Sequence, residues 1–180
     1  LAAGEPSRGL AGFSYQYSDL NFILLGEIVA RVTGMPLQDY CCKEIFLPLG
    51  MNQTFFLPDP KLEGRIAPTT LLEDGSLLRG IVHDPTSRRM GGVAGHAGLF
   101  STVDDLARFA RMLLNGGGGI LKPETISLMT SVQSPANIES RRGLGFDIDS
   151  TYSSLRGELF PKGSFGHTGW TGTSIWIDPT

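Results

Sequence analysis

The chain has few cysteines, no excess of basic charge and no long apolar run, and each shortage excludes a class of protein. Its 180 residues include only two cysteines, too few for a small disulfide-stapled scaffold. Fifteen basic residues against eighteen acidic ones give a formal net charge of −3, which does not favour nucleic acid or an anionic membrane as a partner. The longest apolar runs, such as Phe22–Leu25, are too short to span a bilayer, so we predict no transmembrane segment in this chain.

The two cysteines are neighbours in the sequence, at Cys41 and Cys42. A disulfide between adjacent residues is strained, and a metal site needs ligands at wider spacing. We therefore predict two free thiols that are at least partly buried.

Several motifs of familiar enzyme classes are missing as well. No Gly-x-Ser-x-Gly nucleophile elbow occurs, and no lysine follows a serine by three positions, so Ser-x-x-Lys is absent too. The glycines of Gly91–Gly98 have neither the spacing nor the lysine of a phosphate-binding loop. We therefore expect no nucleotide and no other cofactor.

The three histidines, His83, His96 and His167, lack the spacing of a metal site. Neither H-E-x-x-H nor a short H-x-H pattern occurs, although Asp84 could join the histidines, and we predict no metal. We expect His83 to be a loop histidine that makes a hydrogen bond. For His96, a structural role in its loop and a role in lining a site both remain open.

What the chain does have is 41% hydrophobic residues and 24 glycines, which predict a packed core with many turns and close-packed loops. Ser18 or Asp19 can cap a first helix that ends at Gly34, and Pro36 suits the first turn of a second helix. The first helix has apolar residues at the spacing of one buried face, namely Phe22, Leu25, Ile28, Val29 and Val32.

The rest of the chain predicts two more helices and then strands. Ser101 is typical of an N-cap, and a shorter helix is predicted over residues 123–130. Residues 164–169 and 173–178 predict an antiparallel hairpin. A half-buried strand is predicted from the alternating residues Leu144, Phe146 and Ile148.

Helices followed by strands indicate the α+β class. We predict one partial domain over residues 1–180, with helices and loops mainly in 1–140 and sheet strands in 141–180.

Four short segments carry a resemblance to a known family. They are Tyr17–Gly26, Pro48–Met51, Ala97–Leu106 and Gly166–Thr173. In this order they resemble the serine β-lactamase and penicillin-binding-protein superfamily, most closely its class C and esterase-like branch of β-lactamase-related serine hydrolases. The resemblance runs from about Phe13 to Pro179. It implies a β-lactamase-like α+β fold, in which helices and a mostly helical region flank an antiparallel sheet, and which is incomplete in this chain.

That family uses three active-site elements, and two of them have matches here. Tyr17-Ser18-Asp19 matches Tyr-x-Asn, and His167-Thr168-Gly169 matches Lys-Thr-Gly or His-Thr-Gly. The remaining element, Ser-x-x-Lys, lies upstream of Tyr-x-Asn in the family. We therefore expect an internal fragment of a larger serine hydrolase, inactive alone because its nucleophile is missing.

The resemblance implies a role for each matched catalytic residue. Tyr17 would relay or accept the proton of the missing serine, and its phenol needs nearby positive charge, from the missing lysine or from His167, to do so. Asp19 stands where the family has asparagine. Since a carboxylate only accepts hydrogen bonds, Asp19 could hold a lysine or arginine side chain. The simpler alternatives are an aromatic residue before a helix for Tyr17 and a helix N-cap for Asp19.

His167 is the third predicted catalytic residue, and the remaining matched residues would bind substrate. His167 replaces the commoner lysine and offers less charge near neutral pH, which favours esters or peptides over penicillin-like acids. Thr168 could donate from its hydroxyl, Gly169 permits close approach to the strand, and the Trp170 N–H would be one oxyanion donor. His96 is a further candidate for lining the substrate site. The simpler alternative for the His-Thr-Gly motif is an ordinary polar strand and turn.

The implied function is a hydrolase that forms an acyl-enzyme on serine, with an ester, a D-amino-acid peptide or a β-lactam as substrate. A catalytically inactive relative that binds cell-wall peptide or a protein partner is the alternative, and a metal-dependent hydrolase is a third. Family members commonly act outside the cytoplasm, so we expect a periplasmic or secreted location. The sequence leaves the oligomeric state open.

Overall fold

The computed structural model describes residues 4–6, 9–10 and 12–180, with the backbone alone described at residues 154 and 155. The chain divides into two compact units. The first contains Ser18–Arg108, and the second contains Phe109–Thr180 together with the segment that ends at Tyr17.

The first unit is built from helices and short paired strands. Its elements are α1 (Asp19–Thr33), α2 (Leu37–Cys41) continued by a π-helix (Cys42–Phe46), β1 (Phe55–Phe56), a 3-10 helix (Pro60–Arg65), β2 (Thr70–Leu71), β3 (Leu77–Leu78), α3 (Pro85–Arg89), β4 (Leu99–Phe100) and the start of α4 (Val103–Leu114). Strand β1 pairs with β4, and β2 pairs with β3, both antiparallel.

The second unit carries a four-stranded antiparallel sheet. Besides the end of α4 it contains α5 (Pro123–Thr130), β5 (Arg141–Arg142), β6 (Asp147–Asp149), a 3-10 helix (Thr151–Arg156), β7 (Phe165–Thr168) and β8 (Ser174–Ile177). The strands lie in the order β5-β6-β7-β8. Apolar side chains from the sheet and from both helices are buried, among them Met112, Leu113, Ile126, Phe146, Ile148, Phe165 and Ile177. The mixed α and antiparallel β class expected from the sequence is confirmed.

Helix α1 has the expected bounds, with Gly34 in the left-handed conformation after its last turn and Ser18 at the N-cap position, although the Ser18 side chain makes no capping hydrogen bond. The predicted buried stripe is wrong, because three of its members are at least half exposed, namely Leu25, Ile28 and Val32. The helix instead buries Gly26, where a Cβ would lie 3.1 Å from the backbone N of Gly95. A small residue therefore lets the two backbones approach closely, and α1 packs on its neighbours through this contact rather than through the apolar stripe.

The N-cap of α4 also differs from the prediction. The helix begins at Val103, and the backbone N–H of Asp105 donates to Thr102 Oγ1 at 3.3 Å, so Thr102 rather than Ser101 caps it. Ser101 instead pairs with Thr54 through their hydroxyls at 2.7 Å. The buried Asp105 carboxylate accepts hydrogen bonds from the Gln53 N–H and the Thr54 hydroxyl, which ties the helix start to this loop. Such side-chain contacts between distant segments do not follow from local capping preferences.

The cysteines are free, as predicted, and Cys41 is half-buried; the predicted burial is wrong for Cys42, which is exposed. Burial, with a smaller contribution from the Cys42 thiol, raises the pKa of Cys41 above its ordinary value. Over the described residues, no individual helix combines the length and the apolar character that crossing a membrane requires. The pair Asp19–Thr33 and Leu37–Phe46, bent by 78°, satisfies those two criteria only when both helices are counted together.

Candidate active site

The hairpin of β7 and β8 presents the His-Thr-Gly motif, and the predicted hairpin is confirmed. His167 pairs with Ile175 and Thr168 with Ser174. The turn closes through a 2.6 Å hydrogen bond from the Gly169 N–H to the Thr173 carbonyl oxygen. A Cβ on Gly169 would collide with the Thr173 hydroxyl, so glycine at that position lets the Thr173 side chain keep its place in the turn. His167 and Thr168 are half-buried beside it.

Tyr17 lies beside the same strand. Its ring centroid is 6.1 Å from that of His167 and 5.4 Å from that of Tyr152, and the side chain is partly exposed. The structure therefore brings together Tyr17 and the His-Thr-Gly strand, which are separated by about 150 residues of sequence. Trp170, at the turn, is 75% exposed.

Arg142 is a site residue that the sequence reasoning missed. It lies on β5 and is buried, and its Nη2 is 3.0 Å from His167 Nε2. The carbon at the centre of its guanidinium lies 5.8 Å from the Tyr17 ring centroid and 5.7 Å from that of Tyr15. A fixed positive charge therefore stands next to both the predicted catalytic tyrosine and the predicted catalytic histidine.

The two hydrogen bonds of His167 determine where its proton is. A guanidinium can only donate, so Nε2 must accept from Arg142 and carries no proton. The carbonyl oxygen of Thr168, 2.7 Å from Nδ1, can only accept, so Nδ1 carries the proton. The neutral Nδ1–H tautomer is the form that satisfies both contacts.

Asp147 is the counter-charge of Arg142. The two residues lie opposite each other on β6 and β5, with Arg142 Nη1 3.4 Å from Asp147 Oδ2. The Ser150 hydroxyl donates to the same oxygen at 2.9 Å. The sequence predicted a half-buried strand around Leu144–Ile148; the strand is shorter and buries Asp147 to 1% exposure, because its carboxylate pairs with a buried arginine.

Tyr15 differs electrostatically from Tyr17. Burial raises the pKa of the Tyr15 phenol above its ordinary value of 10.0, and this outweighs the lowering by Arg142. Nearby Tyr152, Asp147 and Tyr17 act in the same direction as burial. Tyr15 is therefore held in its protonated form and is not suited to act as a base.

The first unit contains the other two predicted site residues, Asp19 and His96, together with Asp84. One ligand atom from each of the three lies within 4.8 Å of the others, so this group could hold a cation. His96 Nε2 is 2.9 Å from Asp84 Oδ1, and the imidazole is only 3% exposed. Asp84 also caps α3 by accepting from the Ser87 N–H at 2.6 Å.

Asp84 is ionised in this arrangement. Burial acts to raise the pKa of its carboxyl. The hydrogen bond from the Ser87 N–H lowers this pKa, the hydrogen bond and charge of His96 lower it further, and together they outweigh burial. The pKa therefore lies below its ordinary value of 3.8.

We expect Asp84→Asn to reduce the free energy of unfolding by about 1.5 kcal/mol near neutral pH, because the hydrogen bond of His96 to a charged group is lost. Asparagine still caps α3, so the cap itself is kept. Since the pKa of Asp84 is depressed in the folded state, its contribution is present above the unfolded-state pKa and disappears as pH falls through the folded-state value. Urea unfolding of both proteins between neutral and acidic pH measures this.

The matched control is Asp59→Asn. Asp59 caps the 3-10 helix by accepting from the Lys61 N–H, and its hydrogen-bond partner is that backbone group and not a histidine. A difference between wild type and D84N that is the same at every pH, or equal to that of D59N, would contradict the assignment.

The fold and the motif geometry together define the β-lactamase type of mixed helix and antiparallel sheet. The family model of β-lactamase matches residues 2–180, and the chain belongs to that family.

The relatives agree with this membership. A protein of Escherichia coli K12 with the provisional name D-alanyl-D-alanine carboxypeptidase is 37% identical over 199 aligned positions, which cover 97% of this chain and 44% of that protein. The chain therefore spans less than half the length of this relative. Among solved structures, a β-lactamase from Mycobacterium bovis matches 93% of this chain and 53% of its own, at 27% identity and a TM-score of 0.66. An octameric penicillin-binding protein homologue from Pyrococcus abyssi matches 93% of this chain and 36% of its own, at 26% identity and a TM-score of 0.65.

Proposed function

We propose that this chain is the part of an acyl-enzyme-forming serine hydrolase that contains its catalytic tyrosine and its His-Thr-Gly strand. The observation that carries the proposal is the cluster of Tyr17, His167 and Arg142 around one end of β7. The serine nucleophile and its lysine would come from a Ser-x-x-Lys segment that precedes Leu1 in the complete protein.

Tyr17 would act as the base. A serine hydroxyl becomes a good nucleophile only when a neighbouring group takes its proton. A phenol can do so near neutral pH if positive charge stabilises its anion. The Tyr17 ring is partly exposed, so a serine could approach it, and the buried guanidinium of Arg142 supplies positive charge beside it. The same group would afterwards return the proton to the leaving group.

The hairpin would bind the reacting carbonyl group. Thr168 would donate from its hydroxyl to the substrate, and the backbone N–H of Trp170 would serve as one oxyanion donor. The second donor would be the N–H of the serine itself. One such donor is typically worth about 3 kcal/mol in the transition state.

Asp19 would hold the ammonium group of the Ser-x-x-Lys lysine. Its carboxylate lies within 4.8 Å of ligand atoms of His96 and Asp84, and a cation there would relieve the repulsion between the two carboxylates. His96 would then position Asp84 through their hydrogen bond rather than contact substrate.

The named relative and the family suggest a peptide that ends in D-alanine as one substrate, with an ester or a β-lactam as the other candidates. Because His167 is neutral in its hydrogen-bonded form, it provides no charge for a substrate carboxylate. A periplasmic or secreted location would match a cell-wall peptide substrate.

A burst experiment tests this proposal. The full-length protein that contains this chain should have Ser-x-x-Lys upstream of Leu1 and should release nitrophenolate from nitrophenyl acetate in a burst equal to the enzyme concentration. Replacing that serine by alanine should remove the burst. An upstream sequence without the serine and the lysine, or steady release without a burst and without dependence on that serine, would contradict the proposal.

An inactive relative that binds cell-wall peptide or a protein partner is the second candidate. Asp19 favours it, because a carboxylate cannot donate to a substrate carbonyl as the family's asparagine can. Tight binding of a D-alanine peptide by the full-length protein, without turnover or covalent labelling by a β-lactam, would support this candidate.

A further inference from the structure

The neutral state of His167 raises the question of which residue supplies the positive charge for Tyr17. The family position of His167 is usually occupied by lysine. Here, however, Nε2 accepts a hydrogen bond from a permanent cation, and protonation of Nε2 would place two donors 3.0 Å apart. The charge therefore cannot be assigned to the imidazole.

We propose that, among the residues the structure describes, Arg142 and not His167 is the cation beside Tyr17, and that Arg142 positions His167 as a neutral hydrogen-bond acceptor there. The inference deepens the proposed function and rests on it for the role of Tyr17. Arg142 acts through its two neighbours and is thus a positioning residue rather than a catalytic residue.

Three features suit Arg142 to this task. Its guanidinium stays protonated at every relevant pH, and its planar donors bond His167 with one nitrogen while facing Asp147 with another. The side chain is 9% exposed, so solvent screens its charge little. Asp147 lies opposite it on β6 and pairs with its Nη1, and the Ser150 hydroxyl in turn donates to the same Asp147 oxygen.

Among the described residues, charged or titratable groups lie near Tyr17 on three strands of the sheet, on the N-terminal segment and on the 3-10 helix. Asp147 on β6 opposes Arg142 and disfavours a phenolate, whereas the neutral phenols of the N-terminal segment and of the 3-10 helix add no full charge. Arg142 lies between Asp147 and the tyrosine rings, with its guanidinium over two of them. The charged or titratable groups near Tyr17 are Arg142, Asp147, Tyr15, Tyr152 and His167.

The first test does not depend on catalysis. In the full-length protein labelled with nitrogen-15 histidine, and with His167 assigned by a His167→Asn variant, the ring signals near neutral pH should show a protonated Nδ1 and an unprotonated Nε2. In Arg142→Gln the signals should move towards a mixture of tautomers, with a share of the proton on Nε2. A wild-type His167 protonated on Nε2, as the Nε2–H tautomer or as the imidazolium, would overturn the proposal.

The second test uses the pH profile of acylation. Arg142→Gln should lower kcat/KM for the nitrophenyl ester about 100-fold near neutral pH, and the loss should shrink as pH rises towards the ordinary ionisation range of a phenol. Arg142→Lys, which keeps the charge, should have a kcat/KM about tenfold higher than that of Arg142→Gln. A merely structural arginine would give a loss that is independent of pH.

The matched control is Arg141→Gln. Arg141 precedes Arg142 on β5 and lines a cavity with Val132 and Asp149. Its variant should keep the wild-type pH profile. Equal profiles for R142Q and R141Q would overturn the proposal. If even the wild-type protein forms no acyl-enzyme, the proposed function fails, while the nitrogen signals of His167 still decide the role of Arg142.

Discussion

Tyr17→Phe in the full-length protein is expected to lower kcat/KM for ester acylation about 1000-fold, within the range that a general base contributes. The phenol oxygen is the group that would take the serine proton, and phenylalanine keeps the ring and its contacts with His167 and Tyr152. The fold should therefore survive. Single-turnover release of nitrophenolate, with the thermal midpoint recorded in parallel, measures both effects.

Tyr152→Phe is the matched control. The centroid of its ring lies 5.4 Å from that of Tyr17, and the change likewise removes one phenol oxygen from the same cluster. We expect it to keep most of the activity. If Y152F and Y17F lose activity equally, or if Y17F is as active as wild type, Tyr17 is not the base.

Restoring the family's common lysine, by His167→Lys, is expected to damage this protein. A lysine ammonium would face the buried guanidinium of Arg142, which is 3.0 Å from the imidazole that it replaces. Two like charges about 4 Å apart at an effective dielectric constant of about 20 repel by about 4 kcal/mol, and we expect most of this as a loss of unfolding free energy. Urea unfolding of the full-length protein measures it.

The double variant H167K/R142Q isolates the cause. Removing the guanidinium removes the repulsion, so the double variant should be more stable than H167K and should regain part of the acylation activity. Additive losses from the two single changes, or a fully stable H167K, would show that the pairing of Arg142 with His167 has no energetic consequence.

Much of the fold could be predicted from local patterns. The ends of α1, the helix from Pro123 to Thr130 and the hairpin around Gly169 follow from capping residues, proline and alternation, which act over a few neighbours. The buried face of α1 could not be predicted in this way. Its packing depends on the close approach of Gly95 to Gly26, about 70 residues further along the chain.

The site was predictable in its motifs but not in its electrostatics. Tyr17 and His167 come from two short segments whose order along the chain matches the family, and the structure places their rings side by side. Arg142 has no motif of its own. A signal does exist, because Arg142 and Asp147 flank the turn through Gly143 and Gly145, and an antiparallel pairing across that turn sets them opposite each other.

The tautomer of His167 needed the structure itself. It follows from which partners lie beside each ring nitrogen, and one of those partners is 25 residues away. The link between His96 and Asp84 is similar, because a helix cap and a glycine-rich loop meet through one carboxylate oxygen.

Mass spectrometry of the full-length protein after brief exposure to a slowly hydrolysed β-lactam or activated ester tests the central claim most directly. Formation of an acyl-enzyme on serine predicts one added acyl group per molecule, located on the serine of Ser-x-x-Lys and lost again with time. Tyr17→Phe should slow its formation, while Tyr152→Phe should leave the rate near that of wild type. An intact protein that acquires no adduct from either class of probe, or acquires it on another residue, would contradict the assignment of this chain to an acyl-enzyme-forming serine hydrolase.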